Sequence, residues 1–68
     1  MSLLKITVNG EPQETAAETL DELCAGLGYG EMRIATALNG EFIPATRRAQ
    51  TPINADDRVE IVAPRQGG

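Results

Sequence analysis

The chain has 68 residues, 41% of them apolar and 24% charged, with a net charge of −4. That length leaves room for one domain. The negative balance excludes a phosphate-backbone grip built on clustered Lys and Arg, and attraction to an anionic membrane surface. With one cysteine and no histidine there is no internal disulfide and no zinc-type ligand spacing. A hydrophobic core alone must then hold the fold, with net stability of roughly 3–5 kcal/mol expected at this size.

The opening MSLLKITVNG is too short and too polar for a signal peptide, and no apolar run reaches membrane length. Together with an unpaired cysteine this predicts a reducing, cytoplasmic setting. Leu4, Ile6 and Val8 alternate with Lys5 and Thr7, the period of a half-buried strand. Asn9-Gly10 then supplies residues that tolerate positive φ, as a tight hairpin requires. Glu11 to Thr15 is the return strand, and Pro12 places it at a sheet edge.

Thr19-Leu20-Asp21-Glu22 has the spacing of a capping box, with Thr19 accepting from the Glu22 amide and the Glu22 carboxylate reaching back. Its acids also suit the positive end of a helix dipole. Leu20, Leu23, Cys24 and Leu27 form one apolar stripe, and Gly28 supplies the stop. This predicts a helix from Leu20 to Leu27. Met32, Ile34, Thr36 and Leu38 alternate with Arg33, Ala35 and Ala37 as a second strand. Asn39-Gly40 turns it, and Glu41-Phe42-Ile43 returns until Pro44. The echo between Val8-Asn9-Gly10-Glu11 and Leu38-Asn39-Gly40-Glu41 reads as one turn problem solved twice.

Residues 45–51 read as a connection carrying Arg47 and Arg48, and Pro52-Ile53 as a short bridge. Asn54-Ala55-Asp56-Asp57 is turn chemistry, and Arg58 to Val62 is the last strand. One helix with no second helix to cover it must lie across one face of the sheet. Leu4, Ile6, Val8, Val59 and Ile61 then face the helix, while Lys5, Thr7, Glu60 and Val62 line the open face. The expected class is α+β, a mixed sheet of four to five strands with one helix packed across one face. Residues 1–63 are the domain and 64–68 a flexible tail.

Cys24 has no histidine to form a thiolate and sits on the apolar stripe, which predicts an inert core thiol. The acidic pairs Asp21-Glu22 and Asp56-Asp57 are accounted for by a helix cap and a turn. Arg47-Arg48 is either a solvated patch or a partner contact. Gly28 and Gly30 follow a helix, whereas a phosphate cradle needs glycines before one. No catalytic constellation remains. Gly67-Gly68 is the slimmest backbone available, suited to threading into a narrow channel of a partner enzyme. Its carboxylate can attack the α-phosphate of ATP. A thiol can then displace AMP to leave a thioester, or a persulfide can displace it and, after cleavage of the S–S bond by a thiol completes sulfur transfer, leave a thiocarboxylate.

The ordered series Ile6-Thr7-Val8-Asn9-Gly10-Glu11, Thr19-Leu20-Asp21-Glu22-Leu23, Ala37-Leu38-Asn39-Gly40-Glu41-Phe42-Ile43-Pro44, Asp57-Arg58-Val59-Glu60-Ile61-Val62 and Gly67-Gly68 resembles the thiamine-biosynthesis sulfur carriers of the ThiS family, which have a ubiquitin-like β-grasp. The resemblance covers essentially the whole chain. It departs from the family at Ala45, commonly Arg; at Arg48, near where a large aromatic is common; at Asp56, usually Gly; and at Arg65-Gln66, usually small or apolar.

The resemblance implies a carrier that is a substrate of enzymes rather than an enzyme. Gly68 is then the site of adenylate and thiocarboxylate formation, and Gly67, Gln66 and Arg65 thread the tail. The carrier binds no metal or cofactor tightly; ATP and magnesium are used by an E1-like adenylyltransferase. A cysteine desulfurase or sulfurtransferase supplies sulfur, and thiazole synthase receives it. Val62, Phe42, Ile43, Arg47 and Arg48 are the expected docking residues. The alternatives are the related molybdopterin-synthase small subunit, another pathway's sulfur carrier, a ubiquitin-like modifier, and a non-covalent binding module.

Overall fold

A computed structural model describes residues 2–30 and 32–63. In chain order the elements are β1 (Leu4–Val8), β2 (Glu11–Thr15), α1 (Leu20–Gly26), β3 (Ala35–Leu38), β4 (Glu41–Ile43), a 3₁₀ helix (Ala45–Gln50) and β5 (Arg58–Val62). The five strands form one sheet in the order β2-β1-β5-β3-β4. The β1–β5 pair is parallel and its neighbours are antiparallel, so the sheet is mixed, as expected. β2 is an edge strand, where Pro12 withholds no ladder bond.

Both hairpins turn through Asn-Gly with φ of 52° and 83° at Asn9-Gly10, and 51° and 87° at Asn39-Gly40. Two successive positive φ values are what a two-residue turn needs to match strand twist. Helix α1 begins as its sequence predicts, with the Thr19 hydroxyl accepting from Glu22 N at 3.2 Å. The Glu22 carboxylate reaches one residue further back than the simple box, accepting from Glu18 N at 2.9 Å. At the other end Gly28 adopts φ 96°. Gly28 N donates to Ala25 O and Tyr29 N donates to Cys24 O, the paired bonds of a Schellman stop.

Leu20, Leu23 and Cys24 from α1 pack against Ile6, Val8, Val59 and Ile61 from the two central strands. Ile53 completes the same buried cluster, and Leu4, Leu27 and Tyr29 pack at its margin. Burying each large side chain is worth about 1.5–3 kcal/mol. The bridge expected at Pro52 is present, pairing with Thr19. Leu20 N donates to Thr51 O, and Ile53 N donates to Glu18 O. The helix start is thereby tied to the segment entering β5.

Two expectations need correction. The strand predicted from Met32 begins only at Ala35, because its last rung pairs Ala35 with the end of β5 at Val62. Met32 is exposed despite its place in the alternation. Within the connection from 45 to 51, Ala45–Gln50 form a 3₁₀ helix beside α1. No helix among the described residues is long and apolar enough to cross a membrane.

Candidate functional site

The open face of the sheet carries the two most exposed of the large apolar side chains among the described residues, Leu3 and Met32 being the other exposed ones. Phe42 is 64% exposed and Val62 65%. Register explains their grouping. Ala37 pairs with both Phe42 and Glu60, and Ala35 pairs with Val62. Two small residues of β3 therefore lie between Phe42 on β4 and Val62 on β5, which are two strand spacings apart and offset by two residues along the strands, about 12 Å in all. The result is a shallow apolar strip with Glu60 in the same row as Phe42. Lys5 and Arg58 are exposed, and Thr7 pairs with Arg58, extending the polar part of this face toward β1.

The five expected docking residues do not share this face. Val62 and Phe42 do. Ile43, adjacent to Phe42 in a strand, points the other way and packs against the core cluster. Arg47 is exposed on the 3₁₀ helix. Arg48 is half-buried, and its guanidinium is engaged within the domain. Its Nε donates to Thr36 Oγ1 at 3.0 Å, and its NH2 donates to the Ile34 carbonyl at 2.6 Å. Thr36 is 1% exposed and its hydroxyl donates to the Ile43 carbonyl at 2.7 Å. Arg48 thus stitches the 3₁₀ helix to the entry of β3 through a buried hydroxyl. Residues 64–68, which include Arg65, Gln66, Gly67 and Gly68, lie outside the described residues.

β5 precedes those residues in the chain, and it is held near both ends by the asparagine side chains of the two hairpin turns. Asn9 Nδ2 donates to Ile61 O at 3.1 Å, and Ile61 N donates to Asn9 Oδ1 at 2.8 Å. At the start of the strand, Arg58 N donates to Asn39 Oδ1 at 2.8 Å, and Asn39 Nδ2 donates to Asp57 Oδ1 at 3.0 Å. The other Asp57 oxygen accepts from Asn54 N at 2.8 Å. Asp57, 9% exposed, therefore closes the turn before β5 and braces Asn39. The repeated Asn-Gly-Glu was the visible signal; its long-range use was not.

Cys24 is buried as expected. Burial pushes its thiol up from the ordinary value, opposed by the nearby Arg48 guanidinium and reinforced by Asp21. A protonated, enclosed thiol is a poor nucleophile. Among the described residues no cluster of three or more His, Cys, Asp or Glu side chains could hold a metal ion.

One helix laid across a mixed sheet, with the first and last strands parallel at its centre, defines a ubiquitin-like β-grasp protein. Residues 6–68 match the model of the ThiS family, and the chain belongs to that family. It is 33% identical to the sulfur carrier protein ThiS of Thermus thermophilus, over 93% of this chain and 98% of that one. It is 35% identical over 96% of its length to a segment of a thiazole synthase from Paramagnetospirillum magneticum, and spans only 20% of that protein. The crystal structure of the thiamine biosynthesis protein ThiS from Geobacter metallireducens superposes with a TM-score of 0.76 at 30% identity. It covers 96% of this chain and 100% of that one.

Proposed function

We propose that this chain carries sulfur for thiazole formation in thiamine biosynthesis, as a C-terminal thiocarboxylate on Gly68. The observation that carries the reading is the family match, which runs from residue 6 through Gly68 itself. Similarity to a named sulfur carrier over nearly all of that protein's length supports it. The likeness to a segment of a thiazole synthase favours thiazole synthase as the sulfur acceptor over the other pathways a β-grasp carrier can feed.

With Gly68 as the terminus, its carboxylate oxygen attacks the α-phosphate of ATP on an E1-like adenylyltransferase that uses magnesium. Pyrophosphate leaves and an acyl adenylate forms. The terminal sulfur of a persulfide, supplied by a cysteine desulfurase or sulfurtransferase, attacks the acyl carbon and AMP leaves. A thiol then cleaves the resulting acyl disulfide, releasing the thiocarboxylate and a new disulfide. The carrier contributes no acid, base or metal to these steps. It contributes a recognisable body, through Phe42 and Val62 on the open face, and a slim end in Gly67-Gly68.

The test is mass analysis of the C-terminal fragment after incubation with the adenylyltransferase, ATP, magnesium and a sulfur donor. One oxygen-to-sulfur exchange on that fragment is expected. The fragment is needed because oxidation of Met1 or Met32 adds nearly the same mass to the intact chain. An unchanged carboxylate under these conditions contradicts the reading and favours a non-covalent binding module. Isopeptide remnants on lysines of other proteins would point to a modifier.

A further inference from the structure

Three side chains of the open face mark out a small triangle. Ala37 pairs with Phe42 on one side and Glu60 on the other, so Phe42 and Glu60 share a row, two strand spacings or about 10 Å apart. Val62 follows two residues after Glu60 on β5, on the same face and about 7 Å along the strand. Ala35 and Ala37 floor the space between the corners. Phe42, Glu60 and Val62 are all exposed. Two corners are apolar and the third is a carboxylate.

A standard interface covers about 800 Å² of each partner, far more than this triangle spans. A protein that seats both Phe42 and Val62 therefore covers Glu60 as well. Covering a carboxylate strips its water, and that cost is offset only where a cation or several donors meet it. The fold does not supply them. Among the described residues no side-chain hydrogen bond reaches the Glu60 carboxylate. Arg58, two residues back on the same face, is the one cation on β5 and is exposed.

We propose that the adenylating partner meets Glu60 with a cationic side chain, a guanidinium or ammonium, set beside the apolar recess that takes Phe42 and Val62. The proposal rests on the reading of this chain as a substrate of that partner. The two apolar side chains supply contact area, which tolerates sliding. The ion pair fixes register and rejects surfaces that lack the cation, because such a surface leaves the carboxylate covered and unpaired. Glu60→Gln keeps the side chain's size and removes only its charge. Glu41→Gln is the control: Glu41 is exposed, removes the same charge, and adjoins Phe42 in β4, so it faces the other way.

The test is equilibrium binding of the full chain to the adenylyltransferase, by titration calorimetry, with pyrophosphate exchange run in parallel. Glu60→Gln is expected to raise Kd roughly tenfold, while Glu41→Gln stays within about twofold of wild type. The sign decides. Without a partner cation, removing a carboxylate that must be desolvated leaves Kd unchanged or lowers it, and either result overturns the proposal. An equal loss in Glu41→Gln also overturns it, since net charge and not a local pair is then responsible. The double variant Glu60→Gln with Arg58→Gln excludes an internal pair with Arg58. It should recover no more than about twofold of the lost affinity; recovery of most of it overturns the proposal. A wild-type chain that binds but supports no pyrophosphate exchange contradicts the functional reading and leaves the binding comparison standing. A wild-type chain that does not bind overturns both.

Discussion

On the helix side of the sheet, Ile6, Val8, Val59 and Ile61 are each at most 6% exposed, whereas Phe42 and Val62 on the other side keep about two-thirds of their surface open. The covered face joins both central strands, α1 and Ile53 into one cluster. The open face has only alanines between its two large apolar residues. A domain this size has few kilocalories to spare, so the same side chains cannot both hold the core and release themselves to a partner. Dividing the two tasks between faces removes that conflict. Substitutions on one face should therefore move stability, and on the other recognition.

The largest effect is expected at Leu20, which is fully buried. Leu20→Ala should cost about 3 kcal/mol through lost contacts and a residual cavity. That is comparable with the whole stability of a core this small, so a large unfolded population should appear in urea titration even before denaturant is added. Arg48→Met comes next. It keeps the apolar stem but leaves the Ile34 carbonyl without the Arg48 donor and removes a partner from buried Thr36. A loss of about 1–2 kcal/mol is expected in the same titration, with KM for adenylation unchanged because Arg48 is not on the open face.

Phe42→Ala and Val62→Ala should break the comparison from the other side. Stability should move by less than about 0.5 kcal/mol, while KM rises roughly tenfold, equivalent to about 1.4 kcal/mol. Wild-type KM in either variant removes that residue from the interface. The smallest effect concerns Cys24. Its folded thiol is raised above its ordinary value by burial, so protonated thiol is favoured in the folded state. The associated stability is present below the unfolded value and is lost as pH rises through the folded one. Cys24→Ala should flatten that alkaline decline, which thermal melts across the alkaline range would resolve.

Much of this arrangement is legible in local sequence. The Asn-Gly turns, the Thr19 cap, the Gly28 stop, the edge position of Pro12 and the alternation along β1 and β5 each rest on contacts a few residues apart. What escaped depends on partners far along the chain. The Asn9 clamp spans 52 positions and the Arg48 bonds 12 and 14. Nothing near Arg48 shows that it turns inward onto Thr36. Nor does residue 32 reveal that its strand must wait for Val62 before pairing at Ala35. The separation of Ile43 from Phe42 was available, since neighbours in a strand face opposite ways.

The central claim is that the folded body is recognised while Gly67-Gly68 reacts. The most direct measurement uses the chain with those two residues deleted, added as a competitor in the adenylation of the full chain. The account predicts no pyrophosphate exchange from the shortened chain alone, and competitive inhibition with a constant within about threefold of the full chain's KM. Exchange supported by the shortened chain, or a folded shortened chain that fails to compete, would contradict it.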